Sequence, residues 1–182
     1  NGYIDGDDFA NSTYYFIARS PAENAYYWRS LDMRQRPAKA AASRAGEAPF
    51  KYDKPSPHAW TDWQRANVPI SDKVLEHTIR PCWFNNRLFV VWAQVEYPDT
   101  EFFSPQAREG TAQETSKPYP LFRLYASYKK YDDSWSTPRV YAEHTCKTPG
   151  LIIQTPEEIA ANTHTIAVYD HSTSPESLVL MV

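Results

Sequence analysis

The stretch "RPCWFNNRLFVVWAQVE", residues 80–96, predicts the centre of the fold. Asn85 and Asn86 interrupt two apolar runs, and asparagine tolerates the left-handed backbone of a tight hairpin turn. The run from Leu88 to Val95 is apolar at both odd and even positions. Because successive side chains of a strand point to opposite faces, we expect this strand to be covered on both sides. Its buried side chains would be Leu88, Val90 and Trp92 on one face, and Phe89 and Val91 on the other.

Strand patterns also dominate the rest of the chain, as aromatic and β-branched runs bounded by turn residues. These runs are Thr13–Ser20, Ala25–Asp32, Ala59–Ile70, Leu121–Lys130, residues 137–143, His164–Asp170 and residues 177–182. The single predicted helix is short and covers 155–162, with Thr155 as its N-cap and Pro156 at its first position. We therefore predict an all-β fold with antiparallel sheets, arranged either as a sandwich or as a partial propeller.

Two proline-containing segments, 33–58 and 98–120, lack apolar periodicity. We interpret them as long exposed excursions from one domain that covers residues 1–182, and we expect limited proteolysis to begin within 33–58. The chain has no initiator Met and stops within an apolar strand pattern, so we expect a fragment of a larger polypeptide.

Composition limits the possible functions. Of 182 residues, 42% are hydrophobic and 15% aromatic, which excludes a disordered protein. A net charge of −3 provides no general attraction for nucleic acid, and we predict no nucleic-acid partner. The longest apolar runs are too short to span a bilayer, so no direct membrane span is expected in this chain.

Metal and cofactor sites are not predicted. Cys82 and Cys146 are able to form one disulfide or none. "HTC", residues 144–146, offers two ligands, whereas a structural zinc site needs four. With five glycines in the chain, no glycine-rich phosphate-binding loop is present.

The stretch "SYKKYDDSWSTPRVY", residues 127–141, predicts a hairpin between two strands. An aspartate, Asp132 or Asp133, is expected to accept backbone N–H groups across the turn, and Trp135 to pack against the adjacent sheet. The alternative is that the two aspartates form a catalytic carboxylate pair.

Four segments together resemble the neuraminidase-like region of the A component of bacterial insecticidal Tc (toxin complex) toxins. They are "YYFIARS…AYYWRSLDM", "AWTDWQRANVPI", "LEHTIRPCWFNNRLFVVWAQVE" and "FRLYASYKKYDDSWSTPRVY". The resemblance implies a secreted toxin whose A components form a pentamer, bind the target cell and enclose a translocation channel in a shell. It also implies that a pH change opens the shell and that B and C components bind elsewhere on the chain.

A sialidase would hold a substrate carboxylate with three arginines, for which Arg19, Arg80 and Arg123 are the candidates. The alternative is that these arginines are ordinary strand residues lying over aromatic neighbours. A complete six-bladed sialidase-like propeller needs roughly 24 strands, far more than this chain offers. We therefore predict that the protein is not an enzyme.

The resulting hypothesis is a structural and interaction domain of the toxin shell; the alternative is a carbohydrate-binding domain, and an active sialidase is a third reading. The candidate residues for glycan or inter-protomer contact are Trp60, Trp63, Asp132, Asp133 and Trp135. His77 beside Glu76 is the candidate for pH sensing, because histidine changes charge near neutral pH.

Overall fold

The computed structural model of the chain shows ten strands and one short helix within the residues that it describes. It describes residues 2–5, 11–35, 55–97, 119–145, 155–170, 172 and 174–182. The strands are β1 (Gly2–Asp5), β2 (Thr13–Ser20), β3 (Ala25–Asp32), β4 (Gln64–Ala66), β5 (Arg80–Phe84), β6 (Arg87–Glu96), β7 (Leu121–Tyr128), β8 (Arg139–Thr145), β9 (Ile166–Asp170) and β10 (Ser177–Met181). The helix is α1 (Pro156–Asn162).

The strands form three antiparallel sheets, each of which follows chain order. The first sheet is β1-β2-β3-β4, the second is β5-β6-β7-β8 and the third pairs β9 with β10. The predicted all-β, antiparallel fold is confirmed. Within the described part of the chain, no sheet closes into a barrel and the sheets do not form a propeller.

The second sheet lies between the other two. On one face of β6, Leu88, Val90 and Trp92 are buried against Ile17 and Trp28 of the first sheet. The opposite face carries another buried cluster, in which Ala167 and Leu180 of the third sheet pack on residues of β6 and β7. The buried members of that cluster are Val91, Leu124 and Ala126. Coverage of β6 on both sides is therefore confirmed.

Two sequence predictions about these strands need correction. Phe89 is half-buried, because it lies near the start of β6, where its ring contacts Phe84 and Tyr128 rather than the centre of the core. The strand predicted over Ala59–Ile70 is reduced to β4, and Pro57–Ala59 forms a 3₁₀ turn instead. Prolines at 57 and 69 limit the pairing of this segment because proline lacks the backbone N–H that a ladder requires.

The turns and the helix follow the predicted chemistry. Asn85 and Asn86 have φ values of 48° and 55°, as a two-residue hairpin with both central residues left-handed requires. The Thr155 hydroxyl accepts the N–H of Glu158, whose carboxylate accepts the N–H of Thr155. This reciprocal capping box explains why so short a helix starts where it does.

Several predictions lie outside the described residues. They concern most of the excursions, namely 36–54 and 98–118, and also Cys146, so the pairing of Cys82 is not addressed. Cys82 itself is buried in β5. In the described segments, no helix combines the length and apolarity needed to cross a bilayer.

Candidate functional site

Residues 74–79 lie where the three sheets meet. Val74 bridges to Gln94 of β6, and the N–H of Leu75 donates to the carbonyl of Ala93 at 3.0 Å. The Thr78 hydroxyl accepts the N–H of Ala93 at 3.0 Å, and both groups are buried. This segment, which we call the junction, is thereby fixed to the second sheet.

The junction also contacts the other two sheets. The guanidinium of Arg19 in β2 forms an ion pair with the carboxylate of Glu76. On the other side, the hydroxyl of Thr165, which directly precedes β9, donates to the carbonyl of Thr78. The two predicted pH-sensing residues thus lie in the segment that connects the sheets.

His77 contacts the segment that follows α1. Its Nε2 lies 2.8 Å from the carbonyl oxygen of Thr163. A carbonyl only accepts, so Nε2 carries the hydrogen, and both neutral and protonated imidazole are able to make this bond. The His164 ring meets the His77 ring edge-on, with centroids 6.0 Å apart. Arg80 donates to the carbonyl of His77 at 2.7 Å.

A small cleft lies beside the Arg19–Glu76 pair. Its volume is about 150 Å³, and its lining residues are Ile17, Ala18, Arg19, Tyr26, Glu76 and Ile79. Burial raises the pKa of Tyr26, so its phenol stays protonated. Sites for small molecules commonly measure about 300–1,000 Å³, so this cleft is small for a sugar.

The hairpin between β7 and β8 separates the two aspartates. Asp132 accepts the N–H of Ser134 at 3.0 Å and its hydroxyl at 2.6 Å. The hydroxyl bond, followed by the backbone bond, lowers the pKa of Asp132 below its ordinary value. Asp133, at φ 64°, forms an ion pair with Lys129 of the same hairpin. The carboxylates therefore have separate structural partners.

Trp135 packs against the core cluster between the first and second sheets, and its backbone forms an isolated antiparallel bridge with Lys129. The half-buried indole and the turn closed by Asp132 agree with the predicted hairpin geometry. Lys129 forms an ion pair with Asp133 of the same chain, so this pair does not require a second protomer.

Trp60 and Trp63 lie on the outer side of the first sheet, with the guanidinium of Arg29 between them. The guanidinium carbon of Arg29 is 3.9 Å from the ring centroid of Trp60 and 4.6 Å from that of Trp63. Trp63 is 45% exposed. Sequence reasoning missed Arg29, which follows Trp28 in β3; the pairing of Trp28 with Gln64 places Arg29 next to Trp63. That register is not readable from the sequence.

The three arginines considered for a sialidase have different acceptors. Arg19 bonds Glu76 and Asn24, whereas Arg80 donates to the carbonyls of His77 and Ile79.

Arg123 bonds Glu96 at 2.7 Å and Glu143 at 2.6 Å. This double pairing connects β6, β7 and β8. In the described segments, no group of three or more His, Cys, Asp or Glu side chains is placed to hold a metal ion.

Comparison with known families gives a match over nearly the whole chain. The sequence profile described as "Neuraminidase: Neuraminidase-like domain" matches residues 1–181. Toxin subunit YenA2 of Yersinia entomophaga is 35% identical over 95 residues, which is 52% of this chain and 6% of that protein. The chain thus spans a small part of the length of this curated relative.

A solved structure shares the fold. The cryo-EM structure of Morganella morganii TcdA4 matches with a TM-score of 0.65 at 21% identity, covering 98% of this chain and 6% of that one. The cryo-EM structure of Yersinia pseudotuberculosis TcaA-TcaB matches with a TM-score of 0.47 at 14% identity, covering 98% and 8% respectively. The second likeness is too weak to support any inference about this chain.

Proposed function

Because this chain belongs to the neuraminidase-like domain family of Tc toxin A subunits, as the sequence resemblance predicted, we propose that it is a non-catalytic domain of such a subunit. Its role in the subunit is structural and in interactions with other parts of the toxin. We place it in the outer shell of a secreted, pentameric toxin, as one domain of a larger chain. There it contributes to host-cell attachment and to pH-dependent opening. The observation that carries this proposal is the junction, which contacts the first sheet through Glu76, the second sheet through Thr78, and the segment leading into β9 through His77 and Thr78.

The charges around the junction support a response to acid. Histidine side chains as a class gain a proton between about pH 8 and 5. The rings of His77 and His164 lie 6.0 Å apart, and the Arg80 guanidinium donates to the His77 carbonyl, so the junction brings two histidines and a permanent cation together. Glu76, the acid in this group, is already paired with Arg19. A positive charge added to this group would be repelled by Arg80 and would lack a free acid as a partner.

The experiment measures shell opening against pH for the full-length oligomer, by negative-stain electron microscopy or by channel insertion into liposomes. We expect His77→Ala to move the opening profile along the pH axis. Arg139→Ala is the matched control, since Arg139 is an exposed charge in β8. An unchanged profile for His77→Ala, in a protein that still assembles, would contradict the role of the junction.

A separate variant tests the hairpin as an inter-protomer surface. Asp132→Asn combined with Asp133→Asn removes both exposed carboxylates. If the hairpin contacts a neighbouring protomer, the double variant shifts opening or weakens the pentamer. Wild-type behaviour in both assays would leave the hairpin with an architectural role only.

The non-catalytic assignment is supported by the separate hydrogen-bonding partners of Arg19, Arg80 and Arg123. We expect no turnover of a fluorogenic sialoside. Turnover that disappears in Arg80→Ala would establish a sialidase instead.

The second candidate function is carbohydrate binding, which the half-exposed indole of Trp63 favours. Exposed aromatic faces provide the flat apolar surface on which sugar rings stack. A glycan array on the full chain separates this function from a purely structural role, which predicts no binding.

A further inference from the structure

The guanidinium of Arg29 packs between two tryptophan rings, those of Trp60 and Trp63. Arg29 lies in β3 on the face of the first sheet that also carries Phe16, its cross-strand neighbour. The Phe16 ring contacts Trp60, with centroids 5.4 Å apart, so Trp60 is held against the sheet. Trp60 is in turn bridged to Leu31. The Trp60 side of the site is therefore built on rigid strand structure.

The donors of Arg29 lack acceptors within the described residues. Its Nε is buried without a hydrogen-bond partner, and the contacts of its guanidinium are the faces of the Trp60 and Trp63 rings. By contrast, the guanidinium groups of Arg19, Arg34 and Arg123 each bond a carboxylate. Stacking satisfies the faces of a guanidinium and leaves its in-plane N–H groups to bind an anion.

We propose that Arg29, Trp60 and Trp63 form a binding site for a carboxylated sugar, such as a uronic or sialic acid. The carboxylate accepts a pair of hydrogen bonds from the two terminal nitrogens of Arg29, because its Nε is buried and out of reach of a ligand. The pyranose ring packs on the exposed part of Trp63. The site is anchored on β3 and on the segment leading to β4, away from the junction. It rests on the carbohydrate-binding function given above as the second candidate, and its failure would leave the structural role of the junction unaffected.

The chemistry favours a sugar over an acidic protein side chain. Trp63 is 45% exposed and its ring centroid lies 4.6 Å from the Arg29 guanidinium carbon, so a cyclic carboxylate is able to supply both an acceptor for the guanidinium and an apolar face for the indole. An Asp or Glu side chain supplies the carboxylate without an apolar ring face. The net charge of −3 disfavours non-specific attraction of polyanions, so binding has to come from this local arrangement.

The test is a titration of the full chain with each of four ligands: glucuronic acid, N-acetylneuraminic acid, glucose and acetate. Binding is monitored by NMR through the signals of the arginine Nε–H groups and the tryptophan indoles. We expect saturable shifts of the Arg29 and Trp63 signals with at least one of the two acidic sugars. That sugar should bind at least tenfold more tightly than glucose or acetate. Comparison of the two acids identifies which one fits.

Variants make the outcome specific. Arg29→Lys keeps the charge but loses the planar pair of donors, and we expect it to weaken binding at least tenfold. Trp63→Ala should also weaken it. Arg87→Lys is the matched control, because Arg87 likewise lies over two aromatic rings, Tyr128 at 5.1 Å and Tyr131 at 4.5 Å, with its Nε unpartnered.

Three results would overturn the proposal. They are the absence of saturable binding by either acid, equal affinity for acetate and the acidic sugars, and loss of binding in Arg87→Lys with retention in Arg29→Lys. Circular dichroism of each variant verifies that it is folded. If Arg29→Lys is unfolded, the comparison rests on Trp63→Ala, and undiminished binding in that variant likewise overturns the proposal.

Discussion

The indole of Trp92 in β6 stacks on the phenol ring of Tyr125 in β7, with ring centroids 5.8 Å apart and planes inclined by 8°. The two residues are direct cross-strand partners. Trp92 also belongs to the cluster that joins the first sheet to the second. One side chain thus contributes both to strand pairing and to packing between sheets.

We predict that Trp92→Ala lowers the free energy of unfolding by about 3–5 kcal/mol, because it removes a large core side chain and leaves a cavity. Trp92 is 1% exposed. Urea denaturation followed by circular dichroism measures the loss. The control is Tyr141→Ala, at a side chain that is 53% exposed, where the change should stay within about 0.5 kcal/mol. Similar losses in the two variants would contradict the assigned core.

The turn at Asn85 and Asn86 predicts a preference for particular residues. Asn86→Val should destabilise the protein by about 1–2 kcal/mol, since a β-branched residue is strained at the φ of 55° found there. Asn86→Gly should be tolerated, because glycine adopts that conformation readily. Thermal unfolding compares them. Asn67→Val provides the control, at an exposed asparagine outside the set of left-handed residues. Equal effects of Val at 67 and 86 would rule out a backbone origin.

The hydrogen bonds of the β7–β8 hairpin affect the pKa of Asp132. The hydrogen bonds from the Ser134 hydroxyl and N–H hold the pKa of Asp132 below its ordinary value. The stabilisation from this lowered pKa is therefore present above the pKa of the unfolded carboxyl group, and it is lost as the pH falls through the folded pKa. NMR titration should show that Ser134→Ala raises the pKa of Asp132 towards the ordinary value. Thr137→Ala, a change at another exposed residue of the hairpin, should leave it where it is.

The capping box of α1 predicts a measurable link to the junction. Thr155→Ala removes the acceptor for the Glu158 N–H and should cost about 1 kcal/mol of stability. Because His77 bonds the carbonyl of Thr163 just after the helix, the His77 ring signals should shift as the helix frays. Thr155→Ser keeps the acceptor and is the control. Unshifted His77 signals in Thr155→Ala would show that the helix and the junction are independent.

The sequence was most informative where periodicity and turn chemistry act locally. The bounds of β2 and β3 and the cap of α1 follow from aromatic runs, turn residues and the Thr-Pro-Glu-Glu start. The two-sided burial of β6 follows from its continuous apolar run. These features depend on neighbours within a few residues, which a single sequence displays.

Contacts between distant segments were not predictable in the same way. Glu76 and His77 were chosen for their charge, but their partners Arg19 and Thr163 lie far away in the chain. Arg29 was missed because its position beside Trp60 and Trp63 depends on the pairing of β3 with β4. Side-chain partners of this kind are set by sheet register and by packing between sheets.

Strand order has a consequence for how this protein folds. The β2–β3 and β5–β6 pairs are joined by the short turns 21–24 and 85–86, whereas β3–β4 and β6–β7 close long stretches of chain. Closing a long loop costs more entropy than closing a short one, and local pairings accelerate folding. We expect the two tight hairpins to form the folding nuclei, with closure of the sheets around β6 as the slow step. The rate of folding would then depend on the lengths of the β3–β4 and β6–β7 connections more than on the side chains that stabilise the folded state.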